Sequence, residues 1–388
     1  MRKICALTAN RADFSRIETI LEAVNEHPNL ELQLVVFGSH LLEKTGRTIE
    51  EIERKGFRVN YKIYMEMAGS NPTTMAKSVG LAIVELSTAL DQLKPDVVIA
   101  PVDRFESMAM GVARALMNIH VAHIQGGEVT GTIDESIRHA LTKISHLHFV
   151  ATEKSRERVI RMGEPENTVF NVGCPGTDLL LRVPKLDARS TVERLNREVI
   201  KGSKKLNTEE PFALMIQHPV TTEYGSAAKQ IAETMEALVN FPTQVIVLWP
   251  NIDAGSDEIS KVLRGYERRS LGNGNHFIIL KHIPTDLFVN ILRNSLFQIG
   301  NSSSGIREAC YFGLPVINIG TRQSGRERGR NVIDVWYDRN RIEEAIRRQL
   351  SYGRYPVEQI YGDGTAGKKI SEILASIELP DIQKRITY

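Results

Sequence analysis

Short apolar runs alternate with helical stretches along most of this chain of 388 residues. The runs are rich in Val, Ile and Leu, whereas the stretches between them carry apolar residues at three- and four-residue spacing. This alternation is typical of βαβ units with parallel sheets. Because the runs are almost continuously apolar, we expect helices on both faces of each sheet. In the first half the pattern predicts strands at 3–8, 32–37, 96–100, 121–125, 148–151 and 169–172, with helices at 14–25, 74–93, 106–117 and 135–145.

The pattern pauses in a polar, charged stretch at 181–210, which we interpret as a connection containing one helix, and then begins again. The second series predicts strands at 212–217, 244–249, 277–280, 296–299 and 316–319, with helices at 227–240, 257–267, 286–293, 304–312 and 342–350. We therefore predict an α/β protein with two Rossmann-like domains facing across a cleft. We predict an N-terminal domain at 1–180 and a C-terminal domain at 181–365. A C-terminal helix in 366–388 could belong to either domain, and one option is that it packs back on the N-terminal domain.

Composition excludes several classes of protein. Lys and Arg number 49 against 47 Asp and Glu, so the net charge of +2 gives no global attraction to nucleic acid or to an anionic membrane. Three widely spaced cysteines without a CxxC motif form neither a disulfide framework nor a zinc site. The N-terminal apolar run is too short for a signal sequence or a membrane span, so we expect a cytoplasmic protein.

Two segments that follow predicted strands are candidate anion sites. In the first, IGNSSSGIRE at 299–308, Ser302 and Ser303 offer hydroxyls and amides to a diphosphate, and Glu308 could accept the hydroxyls of a ribose. A capping box is an equally weighted alternative. In the second, TRQSGRERGR at 321–330, four arginines including Arg322 suit a grip on phosphate. A solvated basic loop is the alternative there.

A third candidate anion site, TANRADFS at 8–15, places Arg11 beside the amides of a helix start, although a capping turn in which Asp13 satisfies those amides is the simpler interpretation. Asp103, Glu128 and Asp134 are carboxylates suited to proton transfer, with Asp134 also the expected N-cap of its helix.

Histidines complete the set of candidate residues. His218 ends a strand and could donate to phosphate or act as an acid, or could simply bond to backbone. His123 is predicted to be a core histidine rather than a metal ligand. No HExxH motif or Asp array suggests a metal site.

Together these motifs resemble the hydrolysing UDP-N-acetylglucosamine 2-epimerases of sialic acid biosynthesis. The resemblance is carried by NRADFS at 10–15, DRF at 103–105, HIQGGEVTGTIDESIRHA at 123–140, QHPVTTE at 217–223, PNIDAGS at 250–256, IGNSSSGIRE at 299–308 and GTRQSGRERG at 320–329. It implies a glycosyltransferase-B-like fold, a UDP-sugar substrate, no metal or nicotinamide cofactor, and a homodimer or homotetramer. The residues it assigns to UDP are Arg11, Ala12, Ser15, Arg104, His218, Asn251, Ile283, Ser302, Ser303, Glu308 and Arg322.

The resemblance also implies a reaction. Loss of the C2 proton and departure of UDP give a 2-acetamidoglucal, and addition of water then gives N-acetylmannosamine. Asp103 matches the family's catalytic aspartate, with Glu128 and Asp134 as further candidates and His218 offsetting charge on the leaving diphosphate. The family commonly has Glu where this chain has Gln125, which cannot transfer a proton, and Gly where this chain has Val102.

These departures leave alternatives open. The same chemistry on a UDP-2,4-diacetamido-trideoxy sugar of the legionaminic acid pathway is the nearest. A retaining glycosyltransferase shares the fold but needs an acceptor, and a sugar-nucleotide sensor without catalysis would bind substrate without turnover.

Overall fold

The computed structural model describes residues 1–43, 46–67, 69, 71–100, 103–201, 205–239, 241–251, 253–269 and 277–387. The side chains of residues 11, 12, 268 and 269 lie outside this description. The chain divides into two compact units. The first unit comprises Met1–Glu128, Ile133–Arg182 and Tyr361–Tyr388, and the second comprises Val129–Thr132 and Val183–Ile360.

The first unit contains a parallel sheet of seven described strands in the order β3-β2-β1-β4-β5-β6-β7. These strands are β1 (Arg2–Thr8), β2 (Leu30–Phe37), β3 (Val59–Ile63), β4 (Val97–Ala100), β5 (His120–Ile124), β6 (Leu147–Val150) and β7 (Val169–Asn171). The helices between them are α1 (Arg11–Glu26), α2 (Ile49–Arg54), α3 (Pro72–Leu93), α4 (Phe105–Leu116), α5 (Ile133–Ile144), α6 (Glu153–Arg161) and α7 (Pro175–Arg182). The strand order reverses between β1 and β4, and in open α/β sheets ligands bind at such a switch point.

The second unit repeats the arrangement with six described strands in the order β10-β9-β8-β11-β12-β13. The strands are β8 (Phe212–Ile216), β9 (Gln244–Leu248), β10 (Phe277–Leu280), β11 (Gln298–Gly300), β12 (Val316–Ile319) and β13 (Val332–Val335). The helices are α8 (Ala188–Arg194), α9 (Ala227–Val239), α10 (Ser256–Arg269), α11 (Thr285–Asn294), α12 (Ser304–Arg307) and α13 (Arg339–Tyr352). Its switch point lies between β8 and β11. The predicted α/β class with two Rossmann-like domains is confirmed.

The last helix, α14 (Ala366–Ser376), belongs to the first unit and packs against α1 and α7. Its Ile370 and Leu374 are fully buried in the core that also contains Ile4 and Ala6 of β1. The unit boundaries fall after Arg182 and Ile360, where the sequence pattern placed them after residues 180 and 365.

The sequence pattern does not predict two of the described strands and three of the described helices. Strands β3 and β13 lie at sheet edges and are only partly buried, so they lack a continuous apolar run. Helices α2, α6 and α7 are short, with six to nine residues each. The predicted helix at 304–312 is also wrong in part, because α12 ends at Arg307 and a 3-10 turn covers Ala309–Phe312.

Cys5, Cys174 and Cys310 are all buried, and none of these three forms a disulfide bond. Among the described residues, no helix combines the length and the apolar character needed to cross a membrane.

Candidate active site

The carboxyl ends of β1 and β4 in the first unit lead into a buried polar cluster. Asn10 is the N-cap of α1, and its side-chain Oδ1 accepts from the Asp13 amide at 3.1 Å. Asn10 Nδ2 donates to Asp13 Oδ2 at 2.7 Å and lies 3.5 Å from Glu106 Oε1. The expectation that Asp13 satisfies the first amides is therefore wrong. Asn10 is the cap because it precedes the helix with extended backbone, whereas Asp13 lies inside the first turn.

Asp103 lies just before α4 and pairs with a partner on α5. Arg138 Nη2 donates to Asp103 Oδ2, and Arg138 Nη1 donates to the main-chain oxygen of Glu128 at 2.7 Å. The Asp103 residue is 5% exposed and Arg138 is fully buried. One guanidinium thus fixes both Asp103 and the end of the segment that carries Glu128.

Arg104 follows Asp103 and is held by its neighbour on α4. Its Nη2 donates to Glu106 Oε1 at 3.3 Å, and its Nε lies 3.3 Å from Glu106 Oε2. Both residues are buried. Burial and the charge of Glu106 raise the pKa of Asp13 to about 8, while Arg104 and Arg16 act in the opposite direction and Asp103 adds to the increase. Burial and the neighbouring acids therefore favour the protonated form of Asp13.

Gln125 follows β5 with left-handed backbone, at φ 62°. Its amide nitrogen donates to Phe149 O at 2.7 Å, and its side-chain nitrogen donates to the Cys174 sulfur. A non-glycine residue in this conformation is uncommon and marks a constrained position. Nearby on β5, His123 is fully buried with Nδ1 3.4 Å from the Thr142 hydroxyl, in keeping with a core histidine.

Glu128 lies in the segment between β5 and α5, and Asp134 lies within α5. Glu128 is 3% exposed, and Asp134 is partly exposed in the first turn of α5. The expectation that Asp134 is the N-cap is wrong, because the helix already begins at Ile133.

In the second unit, hydrogen bonds between His218 and Asn301 connect the segments that follow β8 and β11. The His218 amide donates to Asn301 Oδ1 at 2.7 Å, and Asn301 Nδ2 donates to His218 O at 2.9 Å. The Asn251 amide donates to His218 Nδ1 at 3.2 Å. Since Nδ1 accepts a hydrogen bond, the neutral ring carries its proton on Nε2. His218 is thereby prepared to donate from Nε2.

Gly300 makes the close approach of these strand ends possible. Its φ is 120°, and a Cβ built there would lie 2.0 Å from Ile216 O. Any other residue would separate β11 from β8 at the point where His218 and Asn301 meet.

The turn after Asn301, which contains Ser302, Ser303 and Ser304, is organised by hydrogen bonds to hydroxyls. Ser304 Oγ donates to Ser302 Oγ at 3.0 Å and accepts from Gln298 Nε2 at 2.7 Å. Ser302, Ser303 and Glu308 are partly exposed. Because α12 is a single turn, its helix dipole offers little attraction for an anion, and the donors available at this turn are hydroxyls and arginines.

The arginine loop packs onto the same turn. Arg322 Nη1 donates to Asn301 O at 3.3 Å, and Gln323 Nε2 donates to that oxygen at 2.8 Å. Arg326, which is 5% exposed, donates to Gln323 Oε1 at 3.0 Å. The loop is therefore held in place by its own hydrogen bonds and by those to Asn301, and the alternative interpretation as a solvated basic loop is wrong.

The short segment Val129–Thr132 belongs to the second unit and lies against this loop. The Gly131 amide donates to Arg322 O at 3.2 Å, and a Cβ at Gly131 would lie 1.9 Å from Thr321 O. A glycine is required there by the contact itself.

The remaining predicted nucleotide residues lie in both units. Asn251 follows β9 and Ile283 precedes α11, while Ser15 is half-buried in α1. Arg11 and Ala12 have described backbone in α1 only, and Val102 lies outside the described residues.

The structure adds Arg138, Glu106, Asn10 and Asn301 to the candidate site. In the sequence, Arg138 is recognisable only as a basic residue on the apolar face of a helix. Its spacing from Asp103 does not indicate that the two residues pair. Within the described part of the chain, no group of three or more His, Cys, Asp or Glu side chains could hold a metal ion.

Comparisons with known proteins place the chain in a family. A family model described as UDP-N-acetylglucosamine 2-epimerase matches residues 22–375. The chain is 35% identical over 379 residues to the UDP-N,N'-diacetylbacillosamine 2-epimerase (hydrolyzing) of Legionella pneumophila, covering 98% of this chain and 97% of that protein. It is 33% identical over 390 residues to the UDP-N-acetylglucosamine 2-epimerase of Neisseria meningitidis serogroup B, covering 99% and 98%.

Among solved structures, the fold is similar to that of Methanocaldococcus jannaschii UDP-GlcNAc 2-epimerase in complex with UDP-GlcNAc and UDP. The TM-score is 0.77 at 17% identity, over 96% of this chain and 99% of that one. Two sheets with polar clusters at their switch points, and family similarity along nearly the whole chain, lead to one conclusion: the chain belongs to the UDP-N-acetylglucosamine 2-epimerase family.

Proposed function

We propose that the chain is a hydrolysing 2-epimerase that converts a UDP-activated N-acetylamino sugar and water into UDP and the free 2-epimeric sugar. The observation that carries this proposal is the buried carboxylate of Asp103, held by Arg138 beside the switch point of the first unit. The C2 proton of such a sugar is weakly acidic, so its removal needs a positioned carboxylate base.

The nucleotide is proposed to bind mainly through the second unit. Ser302, Ser303 and Arg322 would contact the diphosphate, because hydroxyls and a guanidinium donate to phosphate oxygens. Glu308 would accept hydrogen bonds from the ribose hydroxyls. The other proposed nucleotide contacts are His218, Asn251 and Ile283, together with Arg11, Ala12, Ser15 and Arg104.

In the first step Asp103 takes the C2 proton and the bond between C1 and the UDP oxygen breaks, which gives UDP and a 2-acetamidoglucal. The Nε2–H of His218 and the Arg322 guanidinium would stabilise the leaving diphosphate. In the second step a protonated Asp134 or Glu128 gives its proton to C2 on the face opposite to Asp103, and water adds its hydroxyl to C1. The proton left from that water goes to the carboxylate that has just been freed, and Asp103 releases the proton it took to solvent. Gln125 has no proton to give, so it is assigned no transfer step.

Two substrates are candidates. UDP-GlcNAc, which would give N-acetylmannosamine as the first step toward sialic acid, is supported by the motifs and by the Neisseria relative. The diacetamido sugar UDP-N,N'-diacetylbacillosamine is supported by the Legionella relative at 35% identity.

The test is the rate of UDP release from each sugar nucleotide by the wild type and by Asp103→Asn. We expect release from one of the two, with Asp103→Asn binding UDP but releasing none from the substrate. Tight binding of both sugars without release would instead identify a sensor and refute the proposal.

A further inference from the structure

The side chain of Asp13 takes part in none of the proposed reaction steps. It is fully buried at the start of α1, where the helix dipole taken alone favours an ionised carboxylate. Oδ2 accepts from Asn10 Nδ2 at 2.7 Å. Among the described residues, Oδ1 has no hydrogen-bond partner.

These contacts determine which oxygen of a neutral Asp13 carries the proton. Oδ2 accepts from an amide, so it has the character of the carbonyl oxygen, and the proton belongs on Oδ1. A buried hydroxyl without a partner costs far less than a buried carboxylate without a cation. The single bond from Asn10 favours the carboxylate, but it does not offset the cost of burying that charge without a directly paired cation, so burial favours the neutral acid.

The charges around Asp13 lead to the same state. Three carboxyls, those of Asp13, Asp103 and Glu106, share this end of the first unit. Two of them have a guanidinium partner, since Arg138 pairs with Asp103 and Arg104 pairs with Glu106. Asp13 is the third. Arg104 from α4 and Arg16 from its own helix both lower the pKa of Asp13, but they do not outweigh burial and the two acids, which raise it.

We propose that Asp13 is a positioning residue that acts as a neutral acid, keeping Asn10, Glu106 and Arg104 in the arrangement in which Arg104 can receive an anionic nucleotide. Asn10 connects Asp13 to Glu106, and Glu106 holds Arg104. If Asp13 loses its proton, a third negative charge enters the cluster and attracts Arg104 away from the ligand. Nucleotide affinity should then fall as pH rises past neutrality.

This inference rests on the proposed function only in taking UDP as the anion that meets Arg104. The first experiment is UDP binding by calorimetry between pH 7.5 and 8.5, a range above the pKa of the terminal phosphate and below that of the uracil N3–H. We expect the wild-type Kd to rise by about two- to threefold over this range, as it would if nucleotide binding raised the pKa of Asp13 by about one unit. Asp13→Asn, which mimics the neutral acid, should bind like the wild type at pH 7.5 and show a flatter pH profile.

The control is Asp91→Asn, the same exchange at an exposed position on α3 whose pH profile should match that of the wild type. Identical profiles for the wild type and Asp13→Asn, or loss of UDP binding in a folded Asp13→Asn at pH 7.5, would overturn the proposal.

A second measurement needs neither activity nor nucleotide. Carbon-13 NMR of protein labelled at aspartate carboxyls, with Asp13 assigned by its absence in Asp13→Asn, reports the titration directly. A carboxyl that titrates above pH 7 supports the neutral acid, and one that titrates below pH 7 refutes it. If UDP fails to bind at all, the proposed function fails, while this titration still decides the state of Asp13.

Discussion

Arg138 on α5 donates to the Asp103 carboxylate from 35 positions away in the chain, and its other terminal nitrogen donates to Glu128 O. The pair is buried, and removing one partner of a buried ion pair leaves an uncompensated charge. It joins the proposed base to the segment that carries the other candidate acids. The assignments of Asp103 and Arg138 can therefore be tested separately.

Asp103→Asn should abolish turnover while UDP affinity stays within about threefold of the wild type, a change below 1 kcal/mol. The amide keeps the shape of the side chain but cannot accept a proton. Turnover and UDP calorimetry on the same preparation check this result, with Asp91→Asn as the matched exchange at an exposed site. Full activity in Asp103→Asn would remove Asp103 from the mechanism.

Arg138→Met should lower the free energy of unfolding by about 3–5 kcal/mol, the usual cost of breaking a buried pair from one side. Denaturant unfolding measures this loss. The double variant Arg138→Met with Asp103→Asn should recover part of it, because the buried charge is then gone. A loss in the double variant equal to the sum of the losses in Arg138→Met and Asp103→Asn alone would show that the two residues do not interact energetically.

Gly131→Ala should weaken UDP binding by at least about tenfold, which is a loss of about 1.4 kcal/mol. The added methyl would lie 1.9 Å from Thr321 O, so the loop that carries Arg322 must move. Gly80→Ala is the matched control, because an added Cβ there meets nothing within 4 Å, and in helix α3 it should be neutral or stabilising. Unchanged UDP affinity in Gly131→Ala would contradict the importance of this contact.

Asn301→Ala removes both hydrogen bonds to the His218 backbone and should lower UDP affinity by more than about tenfold, since each buried group left without a partner costs about 1–3 kcal/mol. Calorimetry with UDP checks this. Asn171→Ala, at an exposed position on β7, should bind UDP normally. If both variants bind UDP equally well, the His218–Asn301 junction does not organise the nucleotide site.

The stability of the first unit should fall as pH drops from 6.5 toward 4. Burial lowers the pKa of His146 to about 4, and its Nδ1 accepts from the Val121 amide while Nε2 donates to Ile382 O at 3.0 Å. The fold favours the neutral ring. Its contribution to the free energy of unfolding is therefore fully present above the pKa of the unfolded state, about 6.5, and is lost as the pH falls from there through the lower pKa of the folded state. Burial also lowers the pKa of His148, which adds to this loss.

Thermal unfolding between pH 7 and 4.5 measures this effect. His146→Gln should give a shallower decline of Tm than the wild type, whereas His27→Gln, at a histidine outside this buried group, should leave the slope unchanged. A wild-type Tm that rises toward pH 4.5 would contradict the predicted sign.

The sequence predicts much of this fold because buried parallel strands such as β1 and β8 leave continuous apolar runs. Edge strands β3 and β13 leave none, so they could not be predicted. Motifs that follow strand ends, including those of Asp103 and His218, could be placed at sheet edges from topology alone. Arg138 and Asn301 could not be assigned, because their partners are distant in sequence and are set by tertiary packing.

The central claim is hydrolytic epimerisation at C2, and proton NMR in D2O tests it most directly. Purified protein is followed with UDP-GlcNAc and, separately, with UDP-N,N'-diacetylbacillosamine. The account predicts free UDP and the free 2-epimeric sugar carrying deuterium at C2 from one of them. A product that still carries UDP, or unchanged spectra with both sugar nucleotides, would contradict it.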